Sequence, residues 1–356
     1  MIQPYSAVGL IPTVRGIRTR DDIQRNLDHL AELVTAASWL SSMDLPVRLV
    51  IVPEGALQGF NDEVLDLHHE TFARECAIDL PGKETEFLGD LARKWGVYLM
   101  AQAKVRHPEF PGRFFNAGFV LDPQGELILI HYKVVPLLPV EHSVTPHNVW
   151  DRWVELYGET LDAFYPVVDT DIGRLGVMMA NEGSYPENAR GLAMNGAEVV
   201  YRASYPHPHT GNELFEVQNR ARALDNNFYV LAPNMGTYYL HAEDELPIDT
   251  FGGRSMMCDY KGRVVGQQDY GAGSTYIAGQ IDVEALRDFR TRAQMNNWMK
   301  DLTTEQYRLI YDQPVYPKNL YLDREPYDHA DYKAQVTDRQ IEYLVERDIY
   351  RWPEGR

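Results

Sequence analysis

The chain has 356 residues, 44% of them hydrophobic, and a formal net charge of -18; this is enough apolar material for one large domain or two ordinary ones, and the acidic balance argues against nucleic acid or an anionic membrane as partner. No apolar run reaches the roughly 18 residues needed to span a membrane, and the N-terminal MIQPYSAVGLIPTVRG lacks the charged and apolar regions of a signal peptide. Two cysteines, Cys76 and Cys258, cannot build a disulfide framework, so a reducing, cytoplasmic location is expected.

In chain order, residues 7–14 read as a first strand. Residues 21–40 follow as an amphipathic helix, with Ile23, Leu27, Leu30, Leu33, Val34 and Ala37 at helical spacing and Thr19 or Asp21 as cap. Residues 48–52 form a short apolar strand of the kind covered on both faces, and it runs into Pro53-Glu54-Gly55. A helix over 84–95 and a strand over 97–103 come next. Strands over 114–121 and 126–132 are joined by a turn at 122–125, and Lys133 ends the second. Residues 164–169 and 174–179 make another pair. A polar turn at 181–184 then leads into a helix with Pro186 in its first turn and Ala189, Leu192, Ala193 and Ala197 on its apolar side. Beyond it lie a strand over 199–202, a helix over 213–226, a strand over 229–232, a hairpin of 255–260 with 264–268, and a last strand over 274–281. Strands alternate with helices while several neighbours are antiparallel, which predicts a layered mixed α/β fold. From about Arg290 the chain is rich in tyrosine (Tyr307, Tyr311, Tyr316, Tyr321, Tyr327, Tyr332, Tyr343, Tyr350) with little periodicity outside 338–348. It is too aromatic for a typical disordered tail, so an arm packed on the domain or on a partner subunit is expected.

Three positions stand just past strand ends: Glu54, Lys133 and Ala180. A strand, a sharp turn and a helix hold a side chain exposed at the bend, with helix N–H groups nearby for negative charge. A carboxylate, a lysine and a nucleophile together perform covalent acyl transfer, with the carboxylate as base and the ammonium facing the oxyanion. The bend, however, carries a methyl group. Ser184 lies one turn further on with no base of its own. Cys258, within SMMC, and Cys76 read as structural thiols. His207 and His209 read as loop histidines rather than metal ligands, since no acids or cysteines cluster with them. Arg202 is either a structural ion-pair member or a contact to a substrate carbonyl or carboxylate.

The segments PEGALQGF (53–60), HYKVVPLLPVE (131–141) and GVMMANEGSYPE (176–187), supported by NGAEVV and RARALDNNFYVLAPN (220–234), resemble in order and spacing the three signatures of the nitrilase superfamily of carbon–nitrogen hydrolases. The likeness covers about residues 5–285. It implies a four-layer αββα sandwich, here a domain over 1–289 with a C-terminal extension over 290–356, that pairs into homo-oligomers and works without metal or organic cofactor. It also implies Glu54 as general base and Lys133 as the oxyanion-stabilising lysine. Glu141, in the PxxPxE pattern from Pro136, resembles the second glutamate of the aliphatic amidase branch, which positions the lysine and a substrate amide. The cysteine of the third signature falls on Ala180, so the chain is either an engineered substitution made to trap substrate or a natural pseudoenzyme. The expected substrate is a small-molecule carboxylic amide. A nitrile, or amide binding without turnover, is the alternative. Gly55 and Leu137 stand where that branch carries an aromatic residue and a tryptophan, which predicts a roomier acyl pocket. Tyr132, Leu137, Asn181, Glu182, Arg202, Tyr205 and His207 are the candidate pocket residues.

Overall fold

Strands apolar on both faces must be covered on both sides. The computed structural model, which describes residues 1–202, 204, 208–249 and 253–355, does so with two six-stranded sheets packed face to face and helices outside each. The strands are β1 (Tyr5–Ile11), β2 (Val14–Arg15), β3 (Val47–Ile51), β4 (Tyr98–Arg106), β5 (Phe114–Leu121), β6 (Leu127–Tyr132) and β7 (Val167–Thr170). They continue with β8 (Gly173–Val177), β9 (Val199–Tyr201), β10 (Tyr229–Ala232), β11 (Tyr238–Tyr239), β12 (Ser255–Cys258), β13 (Val264–Gln268) and β14 (Thr275–Ile281). One sheet has the order β14-β1-β3-β4-β5-β6, the other β13-β12-β10-β9-β8-β7. Each has a parallel centre, β1-β3-β4 and β8-β9-β10, and antiparallel flanks, so the mixed layered fold expected from the sequence is the one observed.

The side-chain period of two sorts the core into three slabs. In β1, Val8 and Leu10 pack with the helix Ile23–Ser41, whereas Ala7 and Ile11 face the opposite sheet. In β9, Val199 and Tyr201 lie between the sheets and Val200 packs with the helices Pro186–Met194 and Pro208–Asn226. This gives the αββα order. The strand expected over 174–179 stops at Val177 because a 3-10 turn, Ala180–Ser184, takes over, and the helix expected from Glu213 starts earlier, at Pro208. Among the described residues no helix is long and apolar enough to cross a membrane.

Part of the tyrosine-rich arm packs on the domain. Tyr321 enters the core beneath the first sheet, Tyr332 and Val336 are buried, and the Asn319 and Tyr321 N–H groups donate to the His147 and Asn148 carbonyls at 3.1 and 3.0 Å. Leu309, Ile310 and Tyr311 instead stand in solvent.

The two sheets pack closely at Gly118 of β5, where a Cβ would lie 2.5 Å from Val177 Cγ1 of β8. Gly118→Val is expected to wedge them apart and lower stability by about 1–3 kcal/mol, read as an earlier urea midpoint with the unfolding slope unchanged.

Candidate active site

Glu54 follows β3, Lys133 follows β6 and Ala180 follows β8, so two strand ends of one sheet face one of the other. Lys133 Nζ donates to Glu54 Oε1 at 2.9 Å and to Glu141 Oε2 at 2.7 Å, with all three side chains buried. Two strands, β4 and β5, separate β3 from β6. Their inward polar side chains fill the gap. Asn116 Nδ2 donates to Glu54 Oε1 and Glu141 Oε1, both at 2.9 Å. Gln102 Nε2 donates to Asn116 Oδ1 at 2.7 Å, and Gln102 Oε1 accepts the Gly55 N–H at 2.8 Å. Glu141 also accepts the Ser143 hydroxyl at 2.6 Å and the Leu137 N–H at 2.9 Å.

These surroundings split the two carboxylates. Burial works against both charges. At Glu141 it is outweighed by the Lys133 ammonium, the Ser143 hydroxyl and the Leu137 N–H, which bring the carboxyl down to about 2. At Glu54 burial wins over Lys133, with the nearby Glu141 charge adding to it, and the carboxyl is raised above its ordinary value. Burial alone would lower Lys133, but the two carboxylates raise it well above an ordinary lysine.

The bend is built with equal care. Ala180 has φ +36°, a conformation that side-chain-bearing residues rarely adopt. Its carbonyl accepts Arg202 Nε at 3.2 Å and Nη2 at 3.1 Å. Gly183 is glycine because a Cβ there would stand 2.1 Å from Arg202 Nε. Arg222 binds the next carbonyls, Gly183 at 3.0 Å and Ser184 at 3.2 Å. Arg202 is buried and has no carboxylate partner among the described residues; it also donates to Asn219 Oδ1 at 2.7 Å and Gln218 Oε1 at 2.6 Å. Burial and neighbouring Arg222 push it down to about 9.

Of the residues expected from the sequence, Glu54, Lys133, Glu141 and Ala180 stand at these strand ends and their loops, and four others call for correction. Tyr132 faces away: alternation along β6 turns it toward the helices, where it packs with His107, Phe115 and Trp153. Glu182 is consumed by structure, accepting the Met179 N–H at 2.6 Å, the Val134 N–H at 2.7 Å and His131 Nε2 at 2.9 Å. Arg202 holds the Ala180 carbonyl, as above. Gly55 opens no space, since a Cβ there would lie 2.4 Å from the Phe60 ring, which already fills it. Asn181 ties the bend to the lysine loop through Pro136 O at 2.8 Å. Tyr205 and His207 lie outside the described residues. Sequence reading missed Asn116, Gln102 and Ser143. The first two were detectable as uncharged polar residues at alternate, inward positions of mainly apolar strands.

Residues 12–291 match the family described as carbon-nitrogen hydrolase. The formamidases of Bacillus cereus (strain AH820) and Bacillus anthracis are each 27% identical over 237 residues, 65% of this chain and 63% of theirs, so the chain spans less than two thirds of the length of these relatives. Among solved structures, Nit3 of Saccharomyces cerevisiae, a member of branch 10 of the nitrilase superfamily, superposes with a TM-score of 0.62 at 22% identity, covering 82% of this chain and 95% of that one. A cysteine-to-alanine mutant of the amidase from Nesterenkonia sp. AN1, in complex with butyramide, superposes at 0.61 with 18% identity, covering 86% and 96%. The two structural likenesses show the shared fold.

The Glu141 carboxyl, lowered from 4.5 to about 2, contributes stability that is present above pH about 4.5 and is lost as pH falls toward 2. Glu141→Gln leaves Lys133 paired with Glu54 alone and is expected to be less stable by about 1–3 kcal/mol at pH 7. It should also lose less of what remains on acidification, and thermal midpoints of both forms between about pH 5 and pH 2 check this.

Proposed function

Because the chain belongs to the carbon-nitrogen hydrolase family, we propose that Glu54, Lys133 and Glu141 frame an amide-hydrolysing site that lacks only its nucleophile. With a thiol in place of the Ala180 methyl, it converts a small-to-medium carboxylic amide to acid and ammonia. The observation that carries this reading is the buried Lys133 ammonium held between two carboxylates whose proton affinities are pushed apart. The likeness to formamidases and to an amidase seen with butyramide supports an amide over a nitrile as substrate.

In the thiol form Glu54, its carboxyl poised by burial, takes the thiol proton. The sulfur adds to the amide carbonyl carbon, and the oxyanion is received by Lys133 and a backbone N–H near residue 181. The C–N bond breaks as Glu54 returns the proton to nitrogen, which leaves as ammonia. Water, deprotonated by Glu54, then attacks the thioester, and the acid departs as the thiol is restored. Glu141 stays ionised and keeps Lys133 charged and aimed. Arg202 acts through the 180 carbonyl as a positioning residue, and its positive charge favours a thiolate there. A methyl has no lone pair to attack with, so the chain as it stands binds the amide and does not cleave it. The same methyl favours the second reading, an amide-binding protein that never turns over.

The exposed apolar side chains of Leu214 and Val217 on the helix Pro208–Asn226, with Leu309 and Ile310 of the arm, support a homo-oligomer that covers them.

Ammonia release from amides of increasing acyl size is expected from Ala180→Cys and not from the parent chain, with nitriles untouched. Glu54→Gln in the cysteine background should cost about 10²–10⁴-fold in kcat. If the folded cysteine form is inactive across the panel, the binding-protein reading stands instead. Since Glu54 must be unprotonated to act and its carboxyl is held above 4.5, kcat/KM should fall on the acid side through a pKa above that value. Light scattering at micromolar concentration is expected to give a dimer or larger species; a monodisperse monomer refutes the oligomer.

A further inference from the structure

Away from the carboxylate–lysine frame, three ligand-type side chains from distant parts of the sequence converge. Asp66 follows the helix Asn61–Val64, His142 follows Glu141, and His329 opens the helix His329–Tyr332 in the C-terminal arm. One donor atom from each lies within 4.8 Å of the others. Asp66 Oδ1 is 3.0 Å from His142 Nε2 and 3.6 Å from His329 Nε2. Metal bonds of about 2.0–2.2 Å in tetrahedral geometry place neighbouring donor atoms about 3.3–3.6 Å apart; the two separations from Asp66 bracket this, and the third pair of donors lies within 4.8 Å.

Two further observations point to a ligand. His142 is buried, and its Nε2 has no hydrogen-bond partner among the described residues, although Asp66 Oδ1 is close. The two are near but misaligned, as donors aimed at a common third point would be. A buried ring nitrogen left unpaired is destabilising, and a cation relieves it. The Asp66 side chain remains 38% exposed, which leaves an approach from solvent. The cluster also has internal contacts. The His329 N–H donates to Asp66 Oδ1 and Oδ2 at 3.3 and 3.4 Å, both long. His329 Nε2 hydrogen-bonds Val140 O at 3.0 Å, a bond that an ion taken at that nitrogen replaces, and the two imidazole rings are 4.8 Å apart between centroids. Two imidazoles and one carboxylate are a donor set suited to first-row divalent ions, Zn²⁺ foremost.

We propose that Asp66, His142 and His329 form a site for a divalent cation of the Zn²⁺ class, which fastens the C-terminal arm to the loop that carries Glu141. His142 is the direct chain neighbour of Glu141, and Val140 stands on its other side. A bound ion therefore fixes the loop from which Glu141 holds Lys133, and ties it to an arm that begins beyond the domain proper.

Zn²⁺ alone, titrated by calorimetry into the untagged, EDTA-treated full chain, is expected to bind once per chain and to raise the thermal midpoint by about 3–4 °C at a free concentration of 100 times Kd. Asp66→Asn and His329→Gln should each weaken binding at least about tenfold, while the double variant His207→Ala/His209→Ala should bind as the parent does. Should either first-named variant fail to fold, Co²⁺ added to the parent provides the second readout, since bound in this N/O set it is expected to give a visible ligand-field spectrum that Zn²⁺ abolishes. Absence of saturable uptake, an affinity unchanged in His329→Gln, or loss only in the His207/His209 variant overturns the proposal.

Discussion

An ammonium buried between two carboxylates is the constraint on which the rest of the structure depends. Lys133, Glu54 and Glu141 have almost no contact with water, and an isolated charge in such a place would be prohibitive. The trio carries one negative charge more than it balances, so its spare lone pairs need donors, and the fold must deliver them. The two strands that end in Glu54 and Lys133 are not neighbours; β4 and β5 run between them. Apolar side chains in that gap would leave the carboxylates unmet. Gln102 and Asn116 occupy it instead, and a chain of bonds runs from the Gly55 N–H through Gln102 and Asn116 to both glutamates across four strands.

The same lysine serves two carboxylates that end up chemically unlike. Glu141 gathers Lys133, Asn116, Ser143 and a backbone N–H, and each of these favours its charged form. Glu54 shares Lys133 and Asn116 on a single oxygen, Oε1, and burial prevails. One carboxylate is thereby fixed as a permanent anion, and the other is left able to gain and lose a proton. This difference comes from what surrounds each glutamate, since in sequence they are the same residue.

The strand-end positions were legible because a charge that ends an apolar strand breaks a strong local pattern, and Glu54 and Lys133 do so. The layered fold was legible for a related reason, as strands apolar on both faces require cover on both. What failed depended on direction or on distant partners. Tyr132 adjoins Lys133 in sequence yet faces the opposite side, because neighbours in a strand always do. Gly55 suggested open space, but Phe60, five residues on, folds back into it. Glu182 and Arg202 carry charges that look available in a sequence; their partners, Val134 and His131 for one and the Ala180 carbonyl for the other, lie far along the chain. The arm lacked periodicity because single aromatic anchors such as Tyr321 and Tyr332, rather than a continuous face, fasten it.

The turn at position 180 bears on what an alanine there removes. A backbone at φ +36° with a Cβ attached is strained by about 1–3 kcal/mol, and a methyl group can make no bond of its own to offset this. The conformation is imposed from outside: Arg202 grips the 180 carbonyl, Gly183 clears its path, and Glu182 fastens the turn to the end of β6. None of these contacts involves the side chain at 180. The backbone conformation of this residue is therefore held by its supports, independently of the atom it carries. The side chain at 180 can therefore change while the turn stands, because every support bears on backbone atoms or on neighbouring residues.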